Sequence, residues 1–384
     1  MDEIKEQLIS IISNCLNGNS ENSFKFDDDE ITELGKFAAR HDLEHFIGFG
    51  ISKGFIDTSE EKRNYYTNRM YSVAVRMERI DYEFNAICGL LEENSVHFIP
   101  LKGSVIKNYY PERWMRTSCD IDILVNEEDI ERAISAINSE DRFTVGKRRY
   151  HDISLVSKNK INIELHFSIK EDMDNIDALL KDAWEYAVPK ENHRFYMHMT
   201  PEFFMFHIYA HASYHFLHGG CGIRTLIDVY LLEKSFGYDK NILDGMLEKT
   251  GILFFRDELR LLSEVWFGGK VHNELTRVMQ DFIFSGGVYG SLKNRLAING
   301  CDKTPAGYFL ERVWAPYDTM KKAYPVLNKH KYLLPLCQMK RWLRFIFSSR
   351  HKARVHEIKT FNSFEAEKKE KTDYMLKGLK LKGD

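Results

Sequence analysis

Asp120 and Asp122 stand two residues apart at the head of the apolar run Asp120-Ile-Asp-Ile-Leu-Val125. In a strand, side chains at i and i+2 leave the same face, so the two carboxylates aim at one point while Ile121, Ile123 and Val125 face a core. Two hard oxygen anions converging in this way suit Mg²⁺. Upstream, Val96 to Leu101 reads as a strand that stops at Lys102-Gly103-Ser104. Glycine lets a backbone approach a ligand closely, and successive N–H groups at a strand-to-helix turn make an anion-binding concavity. Ser104 adds a hydroxyl donor, and the following segment to Tyr110 reads as a helix whose N-terminus faces phosphates. Together these residues outline a site for a metal-bound triphosphate.

A bare acidic pair is weak on its own, because 57 acids in 384 residues give roughly eight or nine such pairs by chance. What distinguishes Asp120 and Asp122 is their position at the start of one strand, just downstream of another that ends in a glycine turn. Two-metal transfer calls for a further carboxylate, since two side chains rarely fix both ions. The stretch Ile161-Asn-Ile-Glu-Leu-His-Phe167 supplies one. Its apolar residues alternate with Asn162, Glu164 and His166, which puts Glu164 at the centre of the polar face of a half-buried strand. Asp152, on the neighbouring expected strand, is the reserve candidate. Arg116 reads either as a solvated loop arginine or as a phosphate clamp through its planar fork of donors, and Lys102 either as the end of a strand or as a point charge beside the triphosphate.

These residues resemble the nucleotidyltransferase superfamily with a polymerase-β-like core, which shares a Gly-Ser turn, an Asp-x-Asp strand and a distal acid. More closely, the chain is similar to a bacterial family of uncharacterised nucleotidyltransferases, through Leu101-Lys102-Gly103, Arg116, Asp120-Ile121-Asp122 and His166. The similarity continues through Ile223-Arg224, Asp228, Tyr324-Pro325, Leu334-Pro335 and Arg341. The resemblance implies transfer of a nucleoside monophosphate from an NTP, with ATP the expected nucleotide, to a hydroxyl of an acceptor (small molecule, saccharide, protein or RNA) with release of pyrophosphate. In that scheme Asp120 and Asp122 bridge two Mg²⁺ and Glu164 completes one metal shell and helps to deprotonate the acceptor. Gly103, Ser104 and Arg116 hold the triphosphate. It also suggests that Arg224 and Asp228 line the site, although their i, i+4 spacing reads first as an intrahelical ion pair.

The elements that must position these groups define an α+β fold. Met1 to Leu16, Glu30 to Phe49 and the long run Glu60 to Glu93 have helical spacing. The core is then expected as strand (Val96 to Leu101), helix (Ser104 to Tyr110), strand (Asp120 to Val125), helix (Glu127 to Asn138), strands near Arg142 to Gly146 and His151 to Val156, and the Glu164 strand. After Ile169 the pattern reads as helical to the end. This gives a helical N-terminal portion (1–94), a catalytic core (95–170), a helical C-terminal domain (171–350) and a basic tail (351–384).

With 43% hydrophobic and 29% charged residues the chain is globular. A net charge of −3 offers nucleic acid no blanket attraction. The stretch Lys340 to Asp384 nevertheless carries 13 Lys/Arg against 6 Asp/Glu, either a solvated end or a basic surface for an anionic acceptor. Six cysteines without a close pair suggest neither a disulfide framework nor a zinc finger. No secretory signal or stretch of 18 apolar residues is present, so the expectation is a cytoplasmic protein without a membrane span. His207, His211, His215 and His218 fall near one helical face, with a structural role or contact with nucleotide or acceptor expected ahead of a zinc site. The breaker Gly219-Gly220-Cys221-Gly222 follows. Three other readings compete: a catalytically inactive nucleotide-binding scaffold; a metal-dependent glycosyltransferase, which uses Asp-x-Asp but normally has a βαβ nucleotide-binding unit ahead of it; and a toxin-antitoxin type modifier that adenylylates a protein or RNA, which shares the chemistry and differs in acceptor.

Overall fold

The computed structural model describes residues 2–18, 23–149, 151–300, 314–346 and 366–381. Much of the basic C-terminal stretch, residues 347–365 and 382–384, lies outside the described residues, as does Cys301.

Three helices open the chain: α1 (Asp2–Asn17), α2 (Asp28–Arg40) and α3 (Glu44–Ser52), with two-residue strands β1 (Phe24–Lys25) and β2 (Ile56–Asp57) pairing in parallel. Asp27 caps α2 through a reciprocal box with Glu30. The single helix expected over Glu30 to Phe49 is in fact α2 and α3, because Asp42 adopts the left-handed conformation (φ 58°). A residue in that region ends a helix. The long helix α4 spans Glu60–Glu93, started by the Ser59 hydroxyl.

The sheet that follows contains β3 (Phe98–Pro100), β4 (Asp120–Val125), β5 (Phe143–Arg148), β6 (Asp152–Ser157) and β7 (Asn162–His166) in the order β3-β4-β7-β6-β5. Strands β4 and β7 are parallel and the other neighbours antiparallel, which makes the sheet mixed. Between β3 and β4 stand α5 (Gly103–Ile106) and two short 3₁₀ turns, and α6 (Ile130–Ser139) follows β4. Ile121, Ile123, Val125, Ile163 and Leu165 pack with α6 and with Met77, Ile80, Phe84, Ile87 and Leu91 of α4. That apolar face is why the intervening residues Asp120, Asp122 and Glu164 point away from it.

The segment after Ile169 departs from the expected all-helical pattern. Behind α7 (Asp174–Leu180), strands β8 (Ala187–Pro189) and β9 (Met197–Met199) form a hairpin that meets the sheet edge, where Phe98 N–H donates to Phe195 O at 3.0 Å. Three-residue strands are too short to show a period of two. Helices α8 (Pro201–Leu217), α9 (Ile223–Ser235), α10 (Lys240–Thr250), α11 (Leu253–Phe267), α12 (Glu274–Phe284) and α13 (Leu292–Gly300) complete this part. Further on are α14 (Tyr317–Ala323), α15 (Leu334–Ile346) and α16 (Ala366–Gly378). Helices α1 to α3 share one hydrophobic cluster with α7 to α12, and Leu101, Ile106 and Leu124 join it from the sheet side. Among the described residues no helix is long and apolar enough to cross a membrane.

Candidate functional site

The register of β4 against β7 places Asp122 directly beside Glu164 and Leu124 beside His166. Because paired residues of neighbouring strands share a face, Asp120, Asp122, Glu164 and His166 all stand on the side of the sheet away from α4. His166 Nε2 lies 2.8 Å from Asp122 Oδ1 and 3.8 Å from Glu164 Oε2. The ligand atoms of these three residues fall within 4.8 Å of one another, the group among the described residues that could hold a metal ion. Asp120 borders the same cavity and accepts a hydrogen bond from Ser118 Oγ at 3.2 Å. Glu164 Oε1 is 3.1 Å from Arg149, which also holds Asp152 at 3.0 Å. Asp152 itself is fully buried and does not line the cavity.

The cavity has a volume of about 380 Å³. Its sheet side carries Asp120, Asp122, Glu164 and His166, and Lys102 and Gly103 close one end. Lys102 Nζ is 3.9 Å from Asp122 Oδ2. Burial works against the Lys102 ammonium, but the carboxylates of Asp122, Glu171, Asp120 and Glu164 outweigh it and raise its pKa. Burial likewise opposes the Asp122 charge, yet Lys102 and the His166 hydrogen bond hold that carboxyl well below the usual carboxylate range. Asp120 shifts the other way, pushed up by burial and by the like charge of Asp122. The two aspartates therefore differ electrostatically, and Asp122 is the firmly ionised member.

The turn that carries Lys102 differs from its expected form. Ser104 N–H bonds back to Leu101 O (3.2 Å), and Val105 and Ile106 N–H both bond to Lys102 O (3.0 Å). The helix expected to run to Tyr110 is a four-residue turn continued as 3₁₀ structure. Those N–H groups thus close the turn on itself, and the cation that the turn offers to the cavity is the Lys102 ammonium. Ser104 does not line the cavity, whereas Ser118 does. Lys102 sits at φ 43°, ψ −115°, the first central position of a II′-like turn that glycine normally occupies. Such strain at a non-glycine residue costs about 1–3 kcal/mol and marks functional sites. We expect Lys102→Gly to be more stable than Lys102→Ala by about 1–2 kcal/mol in denaturant unfolding, since both remove the ammonium and only glycine relieves the backbone. Equal stability of the two variants would show the turn to be unstrained.

Arg116 is no solvated loop arginine. Its side chain is only 10% exposed, and its Nε and Nη2 grip both oxygens of Asp228 on α9 at 2.9 to 3.1 Å. Tyr110 donates to the same carboxylate at 2.6 Å, and Arg116 Nη1 donates to Thr117 O at 2.8 Å. The intrahelical pair expected between Arg224 and Asp228 is overturned: Arg224 donates to Thr117 O (3.0 Å), leaving Asp228 to Arg116. An exposed i, i+4 pair is worth only a few tenths of a kcal/mol, so a buried bidentate arginine wins the carboxylate. A Cβ on Gly103 would come 3.0 Å from Arg116 Nη1. The glycine therefore makes room for this guanidinium.

The opposite wall comes from α8 and the segment before α7. His211 Nδ1 lies 2.8 Å from Glu171 Oε1, and the Nε2 atoms of His211 and His215 are 3.0 Å apart. Burial, reinforced by the positive charge of Lys102, drives His211 well below its ordinary pKa, and burial with the neighbouring His211 lowers His215 to about 3. Both rings are neutral at pH 7. His207 is fully buried and His218 is exposed with Nδ1 2.7 Å from Tyr214 O, so the four histidines do not act as one set. Glu171 had no sequence signal, since nothing in its neighbourhood pairs it with a histidine 40 residues away.

Residues 27–268 match the family model described as an uncharacterised nucleotidyltransferase. No curated protein and no solved structure matches the chain. The matched span covers well over half of the chain and includes the whole β3 to β7 sheet, the carboxylate face and helices α8 and α9, so this protein belongs to the uncharacterised nucleotidyltransferase family.

Proposed function

We propose that the protein transfers a nucleoside monophosphate from an NTP, with ATP the expected donor, to a hydroxyl of an acceptor, releasing pyrophosphate. We read residues 95–170 as a polymerase-β-like catalytic core. The observation that carries this reading is the pairing of Asp122 with Glu164 across parallel strands, with Asp120 on the same face and Lys102 above. The donors fit Mg²⁺: they are hard carboxylate oxygens on rigid strands, and Asp122 is kept ionised. Two bound Mg²⁺ would neutralise the triphosphate and the charge that develops in the transition state.

In this scheme Asp120, Asp122 and Glu164 are the metal-facing carboxylates, and His166 fixes the Asp122 carboxylate through its hydrogen bond. Lys102 supplies a point charge to the phosphates, with Gly103 and Ser104 shaping its turn. Arg116, anchored by Asp228, packs against that turn and also lines the cavity. Glu164 draws the proton from the acceptor hydroxyl, whose oxygen attacks the α-phosphorus as the bond to the β-phosphate oxygen breaks. The glycosyltransferase alternative is disfavoured because β3 and β4, the strands on either side of the glycine turn, are antiparallel and so are not the parallel arms of a βαβ nucleotide-binding unit.

Glu164→Gln tests the assignment. Calorimetry with ATP and Ca²⁺ should show affinity within about threefold of wild type, because the remaining aspartates and Lys102 still hold the nucleotide, while transfer falls by about 10²-fold or more. Turnover at the wild-type rate would remove Glu164 from the catalytic set.

A further inference from the structure

The cavity offers charge and hydrogen bonds on nearly every side, which suits phosphates and leaves a nucleobase to be held at the rim. Tyr289 stands there. It is 59% exposed, and among the described residues it is the exposed large apolar side chain that lines this cavity. Exposed Tyr71 and Tyr82, in contrast, lie on α4, away from it. The other lining tyrosine, Tyr214, already has a ring partner in His218, at 4.1 Å between centroids.

The loop that presents Tyr289, between α12 and α13, is locked backbone to backbone rather than loosely draped. Ser291 N–H donates to Gly219 O at 3.0 Å, and Val288 N–H to Arg40 O at 3.2 Å. A Cβ on Gly290, which has φ 75°, would fall 2.1 Å from Gly219 O, and one on Gly222 would fall 2.8 Å from Val288 O. The glycines of the 219–222 breaker and of the 286–290 loop therefore interlock at a distance that no side chain permits. The Arg224 guanidinium carbon lies over the ring, 5.9 Å from its centroid, and the tilted His215 ring has its own centroid 5.9 Å away. This packing holds a solvent-facing aromatic plane rigidly beside a phosphate-suited cavity.

We propose that Tyr289 is the stacking platform for the base of the bound nucleotide, held in place by the interlocked glycine loops. The inference rests on the transferase reading above and adds the part of the donor that the carboxylates and Lys102 do not touch. Stacking recognises the π-face of a base and not its edge, so adenine and guanine nucleotides use the same surface.

The test compares ATP and GTP with inorganic tripolyphosphate, which has the phosphates and no base, each titrated with Ca²⁺ into the full chain. Wild type should bind the nucleotides more tightly than tripolyphosphate. Tyr289→Ala should lose roughly tenfold in ATP and GTP affinity with tripolyphosphate affinity unchanged, and Tyr289→Phe should retain both. ATP binding by Tyr289→Ala at wild-type strength would overturn the proposal, as would equal weakening of ATP and tripolyphosphate, which would mean that the tyrosine acts on the phosphate end. Wild type binding ATP no better than tripolyphosphate removes the base platform alone. Wild type binding neither overturns the transferase reading with it.

Discussion

Asp122→Asn is expected to abolish nucleotidyl transfer, by about 10³-fold or more, while the protein stays folded. Asparagine keeps the shape of the side chain and removes the charge that holds a cation against the triphosphate, an effect worth several kcal/mol in the transition state. Asp122 should be the most sensitive of the carboxylates for a structural reason. It is flanked by Glu164 across the strand pair, by His166 at 2.8 Å and by Lys102 at 3.9 Å, and its carboxyl is held in the ionised form. Asp120, at the strand's start, has its pKa raised by burial and by the like charge of Asp122. An Asp122→Asn protein with turnover within tenfold of wild type would move the centre of the site elsewhere, and circular dichroism would verify that the comparison is between folded proteins.

The largest expected loss of stability follows from Asp228→Ala, at about 3–5 kcal/mol in denaturant unfolding. Truncation leaves the Arg116 guanidinium buried without its carboxylate and takes the acceptor from the Tyr110 hydroxyl. The penalty is that of an uncompensated buried charge and exceeds the net worth of the pair. Replacing both partners, as Arg116→Met with Asp228→Leu, should therefore recover at least half of the loss, even though two interactions are removed instead of one. Because the pair ties the approach to β4 to helix α9, the single variant should also lose transfer activity through displacement of the Lys102 turn. A loss below about 1 kcal/mol for Asp228→Ala would mean that Arg116 finds water or another acceptor on relaxation.

The strands bearing Asp122 and Glu164 were legible in the sequence because polar and apolar residues alternate over four positions in Asp120 to Ile123 and five in Asn162 to His166, and the pairing only sets such faces side by side. Helix α4 was legible for a similar reason: its apolar residues repeat at helical spacing from Tyr66 to Leu91. What escaped lies in contacts between distant segments. Asp228 has a neighbour of opposite charge four residues away, and its choice of Arg116, 112 residues distant, depends on burial that local spacing does not encode. The Glu171 to His211 hydrogen bond is of the same kind. The turn after β3 escaped differently, for a Gly-Ser pair following an apolar strand predicts an open phosphate loop, whereas the N–H groups bond back to Leu101 and Lys102 and strain falls on the lysine. The interlock between the 219–222 and 286–290 loops was visible only as a scatter of glycines, because their meeting depends on how α9 and α12 pack.

Whether this fold moves a nucleoside monophosphate is decided by incubating the full chain with Mg²⁺ and ATP labelled either at the α- or at the γ-phosphate, with cell extract as acceptor source. The α-label should become attached to acceptor while the γ-label leaves as pyrophosphate, and neither should occur with Asp122→Asn. Transfer of the γ-label to acceptor, or no transfer of either label despite nucleotide binding, would contradict the transferase reading.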